Sequence, residues 1–167
     1  MPKKEKLKIN QVLQICVVVN DLQKSLKLYW DIFGIGPWHI MTFQPPRMTN
    51  MKLRGRPVQY SMKIAVAQLG NIQWELIQPL TGQNIYREFL DRHGEGVHHI
   101  AVDIGDYDKA LAVLKKHKIG ILMGADLPGE SYAYMDTEKV MGTVLELYNR
   151  PPSFQIPAAE TTYPPAY

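Results

Sequence analysis

Four polar residues stand in segments that are otherwise mostly apolar: Gln14, Glu75, His99 and Glu146. Two carboxylates, one imidazole and one amide oxygen are suitable ligands for a divalent metal ion that keeps one or two water molecules. Such an ion, chelated by two neighbouring oxygens of a substrate, stabilises an enolate and so assists removal of the proton next to a carbonyl. Glu146 is then the candidate catalytic base, with Glu75 as its counterpart.

The alternation of side chains along a strand predicts that these residues share a face. Ile15 and Val17 form the apolar face of the first predicted strand, which leaves Gln14 on the opposite face. The same alternation separates the other three residues from the apolar faces of their strands. Polar residues in this position often simply face water on half-exposed strands, and that is the alternative interpretation.

An internal repeat relates the four residues in pairs. Residues 14–26 align with residues 99–111 without a gap, and residues 72–79 align with residues 143–151. The alignment sets Gln14 opposite His99 and Glu75 opposite Glu146. A pseudo-two-fold axis would bring all four toward one point, which favours a metal site over four solvated side chains.

Each half of the repeat predicts a strand, a helix and three further strands. Asp21 and Asp106 are candidate N-caps of the two helices, and Gly34 is expected to end the first one. The later strands are predicted near 36–43, 58–68, 71–78, 119–123, 131–136 and 142–148, with a hairpin across Gly70 and Asn71. We therefore predict an α+β fold in which two tandem βαβββ modules form a curved mixed sheet around a metal-binding cleft.

One domain accounts for most of the chain. Residues 1–150 are expected to form it, with module one at about 8–80, a linking helix at 83–93 and module two at about 96–150. Residues 151–167 hold five of the twelve prolines. Proline lacks the N–H that a ladder needs, so this tail is predicted to be an extended strap or an arm to a partner.

Composition excludes several classes of protein. With 46% hydrophobic and 21% charged residues, the chain resembles ordinary globular proteins, and no apolar run approaches the roughly 18 residues of a membrane span. A net charge of +3 is too small to argue for nucleic acid, and the N-terminus has no apolar signal core. The single cysteine, Cys16, reads as a buried core residue rather than a nucleophile. We expect a cytoplasmic protein with a small-molecule substrate and no nucleic-acid or membrane partner.

Further residues are candidates for substrate binding. The stretch 47–56 contains four cations and no acid, so Arg47 and Arg54 suit an anionic ligand such as an acyl-CoA or a carboxylate. A solvated loop is the alternative. Tyr132 and Tyr134 share strand parity and could donate to a developing oxyanion, although a tyrosine on a strand more often serves packing.

The motifs resemble those of the vicinal oxygen chelate superfamily, which includes glyoxalase I, methylmalonyl-CoA epimerase, extradiol dioxygenases and bleomycin-resistance proteins. The resemblance rests on residues 14–22, 74–80, 96–102 and 142–147. It implies metal positions at Gln14, Glu75, His99 and Glu146. The register of His99 with Gln14 selects it over His98, which is expected on the helix side of its strand.

The ligand set separates the branches of this superfamily. Extradiol dioxygenases expect a histidine where Gln14 stands, and bleomycin-resistance proteins lack a chelating quartet. The quartet is similar to that of some glyoxalase I enzymes, but their glutathione-binding positions fall near Val18, Pro79 and Glu95. The runs around Glu75 and His99 are more similar to the epimerases, whose additional third-strand acid has no counterpart here.

The resemblance and the chemistry together predict a divalent-metal-dependent isomerase, epimerase or lyase. Its substrate would be an acyl-CoA thioester or a small keto or hydroxy acid, and its metal ion could be Zn, Ni, Co, Mn or Fe. A small-molecule binding or resistance protein without catalysis is the alternative, followed by a ring-cleaving dioxygenase. The family default implies a homodimer.

Overall fold

The computed structural model describes residues 5–165. The first four residues of the charged N-terminus and the last two residues of the Pro-rich tail lie outside this range. The helices are α1 (Leu22–Phe33), α2 (Ile85–His93), α3 (Tyr107–Lys116) and α4 (Glu138–Met141). The strands are β1 (Gln11–Val18), β2 (Trp38–Phe43), β3 (Thr49–Leu53), β4 (Arg56–Pro57), β5 (Ser61–Leu69), β6 (Ile72–Thr81), β7 (Gly96–Asp103), β8 (Ile121–Leu127), β9 (Glu130–Met135), β10 (Val144–Asn149) and β11 (Thr161–Tyr163).

All these strands form one curved mixed sheet with an internal two-fold arrangement. Its order is β11-β2-β5-β6-β1-β7-β10-β9-β8-β3-β4. The first module, β2-β5-β6-β1, meets the second, β7-β10-β9-β8, through the antiparallel pair β1 and β7. In each module the first strand pairs in parallel with the last, β1 with β6 and β7 with β10. The predicted fold class of two βαβββ modules is confirmed.

Local capping explains where the two repeated helices begin. The Asp21 carboxylate accepts a hydrogen bond from the Lys24 N–H at 3.0 Å, and Asp106 accepts one from the Lys109 N–H at 2.9 Å. These are the two N-caps predicted from the sequence. Gly34 ends α1 in the left-handed region, with φ of 65°. Among residues 5–165, none of the helices combines the length and the apolarity needed to cross a membrane.

The two faces of the sheet carry different cores. On the outer face, α1 packs on the first module through residues such as Leu26, and α3 packs on the second through residues such as Leu114. On the inner face lies a separate cluster rich in methionine and tyrosine, and α2 joins it through Ile85, Tyr86 and Leu90. The inner face is therefore the side on which a cleft can form.

The cationic stretch 47–56 is not the solvated loop considered from the sequence, because it contains a strand. Its central residues form β3, which pairs antiparallel with β8 at the outer edge of the second module. The chain of the first module thus supplies an edge strand to the second. Met51 and Leu53 turn inward and are buried, so apolar burial holds the strand in place.

The Pro-rich tail also contains regular structure. Residues 161–163 form β11, which pairs antiparallel with β2 from Ile40 to Trp38. None of these three tail residues is a proline, and the Glu160 carboxylate accepts hydrogen bonds from the Thr42 N–H and hydroxyl at 2.9 and 3.0 Å. The prediction that the tail makes no regular ladder is therefore wrong for this short segment, which covers the free edge of β2.

Candidate metal centre

The four predicted ligands converge on the inner face of the sheet, where the two modules meet. They are Gln14, Glu75, His99 and Glu146, and none is more than 6% exposed. In the register of the sheet, Glu75 of β6 and His99 of β7 are the partners of Cys16 of β1, on either side of it. Side chains of register partners point to the same face, so these three form a row across the strands.

The ring of His99 has a nitrogen that no hydrogen bond satisfies. Its Nε2 lies 3.4 Å from a carboxylate oxygen of Glu75 and 3.2 Å from one of Glu146, yet it makes no well-oriented hydrogen bond to either. Ligand atoms held about 2.0–2.2 Å from one ion lie about 3 Å apart, which matches these separations. The residues therefore fit a divalent metal ion.

The charges of the buried groups around His99 also favour a bound cation. Burial disfavours a charged imidazolium, but the carboxylates of Glu146 and Glu75 outweigh it and raise the pKa of His99 to about 9. Burial raises the pKa of the Glu75 carboxyl, and the neighbouring His99 acts against this rise. The protein has thus gathered two carboxyl groups in an enclosed place where a cation is strongly stabilised.

His98 corrects another expectation. Cys16 is the register partner of His99 whereas Val17 is the partner of Val97, so His98 is an extra residue in a β-bulge of β7. The bulge turns it to the inner face, against α2, instead of the outer face expected from parity. Its Nδ1 lies 3.0 Å from the Nδ1 of His99.

This contact indicates which nitrogen of His99 is available to a metal ion. Burial, together with the charge of His99, lowers the pKa of His98 to about 2, so its ring is neutral. A neutral His98 can accept the Nδ1 proton of His99 through its own Nδ1. The Nε2 of His99 then faces the carboxylates, as in metal sites where a second group fixes the histidine.

Tyr148 belongs to the site, and the sequence analysis missed it. In the next row of the sheet, Gln14 and Glu146 flank the small side chain of Ala101. The Tyr148 hydroxyl lies 2.8 Å from Gln14 Oε1 and 2.8 Å from Glu146 Oε2. Burial, then the charge of Glu146, raises the pKa of Tyr148, so the phenol is protonated. Its position two residues after Glu146 on the same strand was the signal for it.

Arg150 is a second missed residue, and it lies at the rim. Its guanidinium carbon is 3.5 Å from the centroid of the Tyr148 ring and 4.8 Å from that of Phe154. It forms an ion pair with Glu130, and both residues line the cleft. A planar guanidinium held in this way can bind a carboxylate or phosphate of a ligand.

The predicted tyrosines lie in the cleft wall. Both are buried; the Tyr132 hydroxyl is 2.8 Å from that of Tyr60, and the Tyr134 hydroxyl accepts from Tyr86 at 2.8 Å. Burial raises the pKa of both tyrosines, so each carries a phenolic proton. Packing and hydrogen bonding thus coexist in this pair.

The two predicted arginines lie elsewhere. The Arg47 guanidinium stacks 4.9 Å from the Phe43 ring centroid, behind a ring that lines the cleft. Arg54 makes two hydrogen bonds to the Glu88 carboxylate of α2, at 2.8 and 2.7 Å, outside the cleft. The strand β3 ends at Leu53, beside α2, so the next residue, Arg54, contacts this helix. The structure therefore does not bring Arg54 to the candidate ligands.

The cleft is small and mostly apolar. Its cavity has a volume of about 70 Å³. Tail residues Phe154, Ile156 and Pro157 line it opposite the sheet. The other apolar wall residues are Met41, Phe43, Met62, Ile64, Val66, Ile77 and Leu127. A cleft of this kind admits a few heavy atoms beside the candidate ligands.

Among proteins of known name, this chain is similar to methylmalonyl-CoA epimerases. It is 23% identical to the mitochondrial methylmalonyl-CoA epimerase of Mus musculus over 146 residues, covering 84% of this chain and 73% of that protein. It is also 23% identical to the uncharacterised protein YqjC of Bacillus subtilis over 144 residues, covering 83% of this chain and 91% of that protein.

Solved structures share the fold. Methylmalonyl-CoA epimerase from Mycobacterium tuberculosis superposes with a TM-score of 0.65 at 17% identity, covering 86% of this chain and 90% of that one. A variant of the Streptomyces coelicolor methylmalonyl-CoA epimerase, in complex with 2-nitronate-propionyl-CoA, has a TM-score of 0.59 at 18% identity, covering 90% and 100%. At such low identity the likeness concerns the fold.

Family membership rests on a broader match. Residues 13–134 match the model of the glyoxalase/bleomycin resistance protein/dioxygenase superfamily. The match spans well over half of the chain, includes three of the four predicted metal ligands and confirms the resemblance seen in the sequence. The chain therefore belongs to the glyoxalase/bleomycin resistance protein/dioxygenase superfamily.

Proposed function

We propose that this protein is a divalent-metal-dependent isomerase, epimerase or lyase that moves a proton next to a carbonyl. The observation that carries the proposal is the buried Nε2 of His99, which has no hydrogen bond and faces the carboxylates of Glu75 and Glu146. A buried ring nitrogen that lacks a well-oriented hydrogen bond is costly, and a metal ion between it and the two carboxylates would remove that cost.

Gln14, Glu75, His99 and Glu146 would hold the ion. When bound, a divalent ion supplies positive charge that stabilises an enolate oxygen. Each ligand comes from a different strand of the sheet's centre, which makes the site rigid. Zn, Ni, Co, Mn and Fe are all compatible with the oxygen and nitrogen donors of this quartet.

Glu146 is the proposed base, and Glu75 is its counterpart. Glu146 lies in the cleft wall beside the protonated Tyr148 hydroxyl, which can donate to it at 2.8 Å. This hydrogen bond orients the carboxylate toward the cavity. When Glu146 takes the substrate proton, the Tyr148 proton can turn to Gln14 Oε1, also at 2.8 Å.

The proposed substrate is an acyl-CoA thioester or a small keto or hydroxy acid. Support comes from relatives named methylmalonyl-CoA epimerase and from the solved relative with 2-nitronate-propionyl-CoA. The small cleft suits a short acyl group, and Arg150 at the rim suits its carboxylate. Tyr132 and Tyr134 would form part of the wall of this cleft, and Arg47 would contribute charge from behind Phe43.

A small-molecule binding protein without catalysis is the second candidate. The carboxylates that line the cleft are Glu75, Glu130 and Glu146, and Glu130 is paired with Arg150. An epimerase needs two acid–base groups, so here both would have to come from the proposed metal ligands. Within the part of the chain that the structure describes, the cleft has no unpaired carboxylate besides the proposed metal ligands, and this observation favours a binding protein.

Solvent deuterium exchange separates the two candidates. The metal-loaded protein is incubated in D₂O with methylmalonyl-CoA and then with a panel of keto and hydroxy acids, and incorporation next to the carbonyl is followed by mass spectrometry. An enzyme incorporates deuterium, and Glu146→Gln is expected to slow this by about 10²–10⁴-fold because the base is lost. A binding protein would bind the compound without incorporating deuterium next to its carbonyl.

The control is Glu138→Gln, which neutralises an exposed carboxylate on α4 outside the cleft. It should exchange at the wild-type rate. If Glu146→Gln binds metal and substrate but exchanges as fast as this control, Glu146 is not the base. The expected homodimer is a separate prediction, and light scattering of the purified protein tests it.

A further inference from the structure

Cys16 lies in the middle of the candidate metal centre, although the sequence suggested only a core residue. It is fully buried on the central strand β1, on the same face as Gln14. Its register partners are two of the proposed ligands, Glu75 on one side and His99 on the other. Its thiol therefore points to the place where those ligands meet.

The distances allow a shared ion. The sulfur of Cys16, a carboxylate oxygen of Glu75 and a ring nitrogen of His99 all lie within 4.8 Å of one another. Zinc binds sulfur at about 2.3 Å and imidazole nitrogen at about 2.0–2.1 Å, so two such ligands of one ion are separated by up to about 4.4 Å. Side-chain rotations that shorten these separations would bring all three donor atoms within reach of one ion.

The Nε2 of His99 in this cluster also points to a bound ion. It is completely buried and has no hydrogen-bond partner, so a donor atom of the same cluster as the thiol is available to an ion. Aliphatic neighbours of β1 such as Val18 pack against other apolar side chains. Cys16 differs from them because a soft donor atom faces a nitrogen and an oxygen donor.

We propose that the Cys16 thiolate is a further ligand of the metal ion. This inference rests on the proposed metal site and adds to it. On binding, the S–H bond is replaced by a metal–sulfur bond, and the thiol proton leaves to solvent. Sulfur beside nitrogen and oxygen ligands selects Zn²⁺ or Co²⁺ over the harder Mg²⁺ and Mn²⁺. Cys16 thus narrows the choice of metal that the quartet leaves open.

X-ray absorption on the zinc-loaded full chain tests the bond directly. The expected result is one sulfur neighbour at about 2.3 Å together with nitrogen and oxygen neighbours at about 2.0–2.2 Å. A spectrum with zinc bound by nitrogen and oxygen only would overturn the role of Cys16 and leave the metal site standing. A chain that binds no zinc would overturn both.

Cobalt substitution provides a test by mutation. The wild-type Co²⁺ protein should show sulfur-to-metal charge transfer in the near ultraviolet, and Cys16→Ala and Cys16→Ser should lose it while keeping the ligand-field bands. Loss of a ligand should weaken Zn²⁺ binding by about tenfold or more, since loss of even an outer partner costs that much.

The matched control is Val18→Ala, which removes a buried side chain from the same face of the same strand. It should keep the charge-transfer band and the Zn²⁺ affinity of the wild type. If the two Cys16 variants bind Zn²⁺ as tightly as this control does, Cys16 is only a buried core residue, and the proposal is wrong.

Discussion

At the scale of single residues, the centre combines groups whose charges depend on each other. Glu75 and Glu146 lie within 3.4 Å of the His99 ring nitrogen, and all three are nearly or fully buried. His98 and Tyr148 are neutral hydrogen-bonding neighbours that orient His99 and Glu146. A proton and the proposed metal ion would therefore compete for the same small volume.

The competition predicts a pH dependence of metal binding. The carboxylates raise the pKa of His99 to about 9, so at neutral pH the metal-free ring is protonated and the ion must displace that proton. The affinity for the metal ion should rise with pH until the pH reaches the pKa of His99. The rise should be up to about tenfold per pH unit for each proton displaced.

Competition with a chromophoric chelator between pH 6 and pH 8 measures this dependence. His99→Ala, which lacks the imidazole proton, should bind weakly and with a shallower slope. A wild-type affinity for Zn²⁺ that does not change over this range would contradict the assignment of His99 as a ligand.

At the scale of elements, short-range devices determine where helices begin and how strands bring side chains to the inner face. The two N-caps and the two parallel strand pairs repeat in both modules. The β-bulge at His98 breaks this symmetry, because it sets two adjacent histidines on one face. Regular strand pairing brings the proposed ligands together, and the β-bulge supplies the histidine that orients one of them.

The N-cap of α1 offers a stability test. Asp21→Ala removes the hydrogen bond to the Lys24 N–H, so the free energy of unfolding should fall by about 1 kcal/mol. Urea denaturation with an unchanged m-value measures the loss. Asp31→Ala, near the other end of the same helix, removes an exposed pair with Lys27 and should change stability by less than about 0.5 kcal/mol. Equal losses in both variants would argue against capping.

At the scale of the whole molecule, segments distant in sequence complete the cleft. The strand β3 crosses from the first module to the edge of the second, and the tail returns to cover the edge of β2. Between Arg150 and β11 the tail passes over the cleft, where Phe154 and Ile156 form part of its wall. The size of the cleft is therefore determined by the tail as well as by the sheet.

Removal of the tail should enlarge the cleft without removing the metal. A chain that ends after Arg150 loses the wall residues Phe154, Ile156 and Pro157 but keeps every proposed ligand. We expect stronger binding of a fluorescent apolar dye and an unchanged zinc stoichiometry. Phe154→Ala should give a smaller increase in dye fluorescence. If truncation abolishes zinc binding in a chain that still folds, the tail does more than form a wall.

The sequence by itself determined the modules, the caps and the meeting of four polar residues. Strand alternation and the internal repeat are local periodic properties, so they can be read from neighbours along the chain. Gln14, Glu75, His99 and Glu146 follow that rule and lie on one face of the sheet. Their roles as ligands and base remain predictions that metal analysis and exchange can test.

Only the tertiary structure decided the features that depend on partners far along the chain. The bulge at His98 shifts strand parity by one residue, which no alternation pattern reveals. Arg54 is held by a hydrogen bond to Glu88. The strands β3 and β11 pair with sheet edges whose backbone N–H and C=O groups are open to any segment that reaches them. Cys16 looks like any buried strand residue until the register sets it between Glu75 and His99. Pairing and packing are properties of the folded surface, and a local pattern does not contain them.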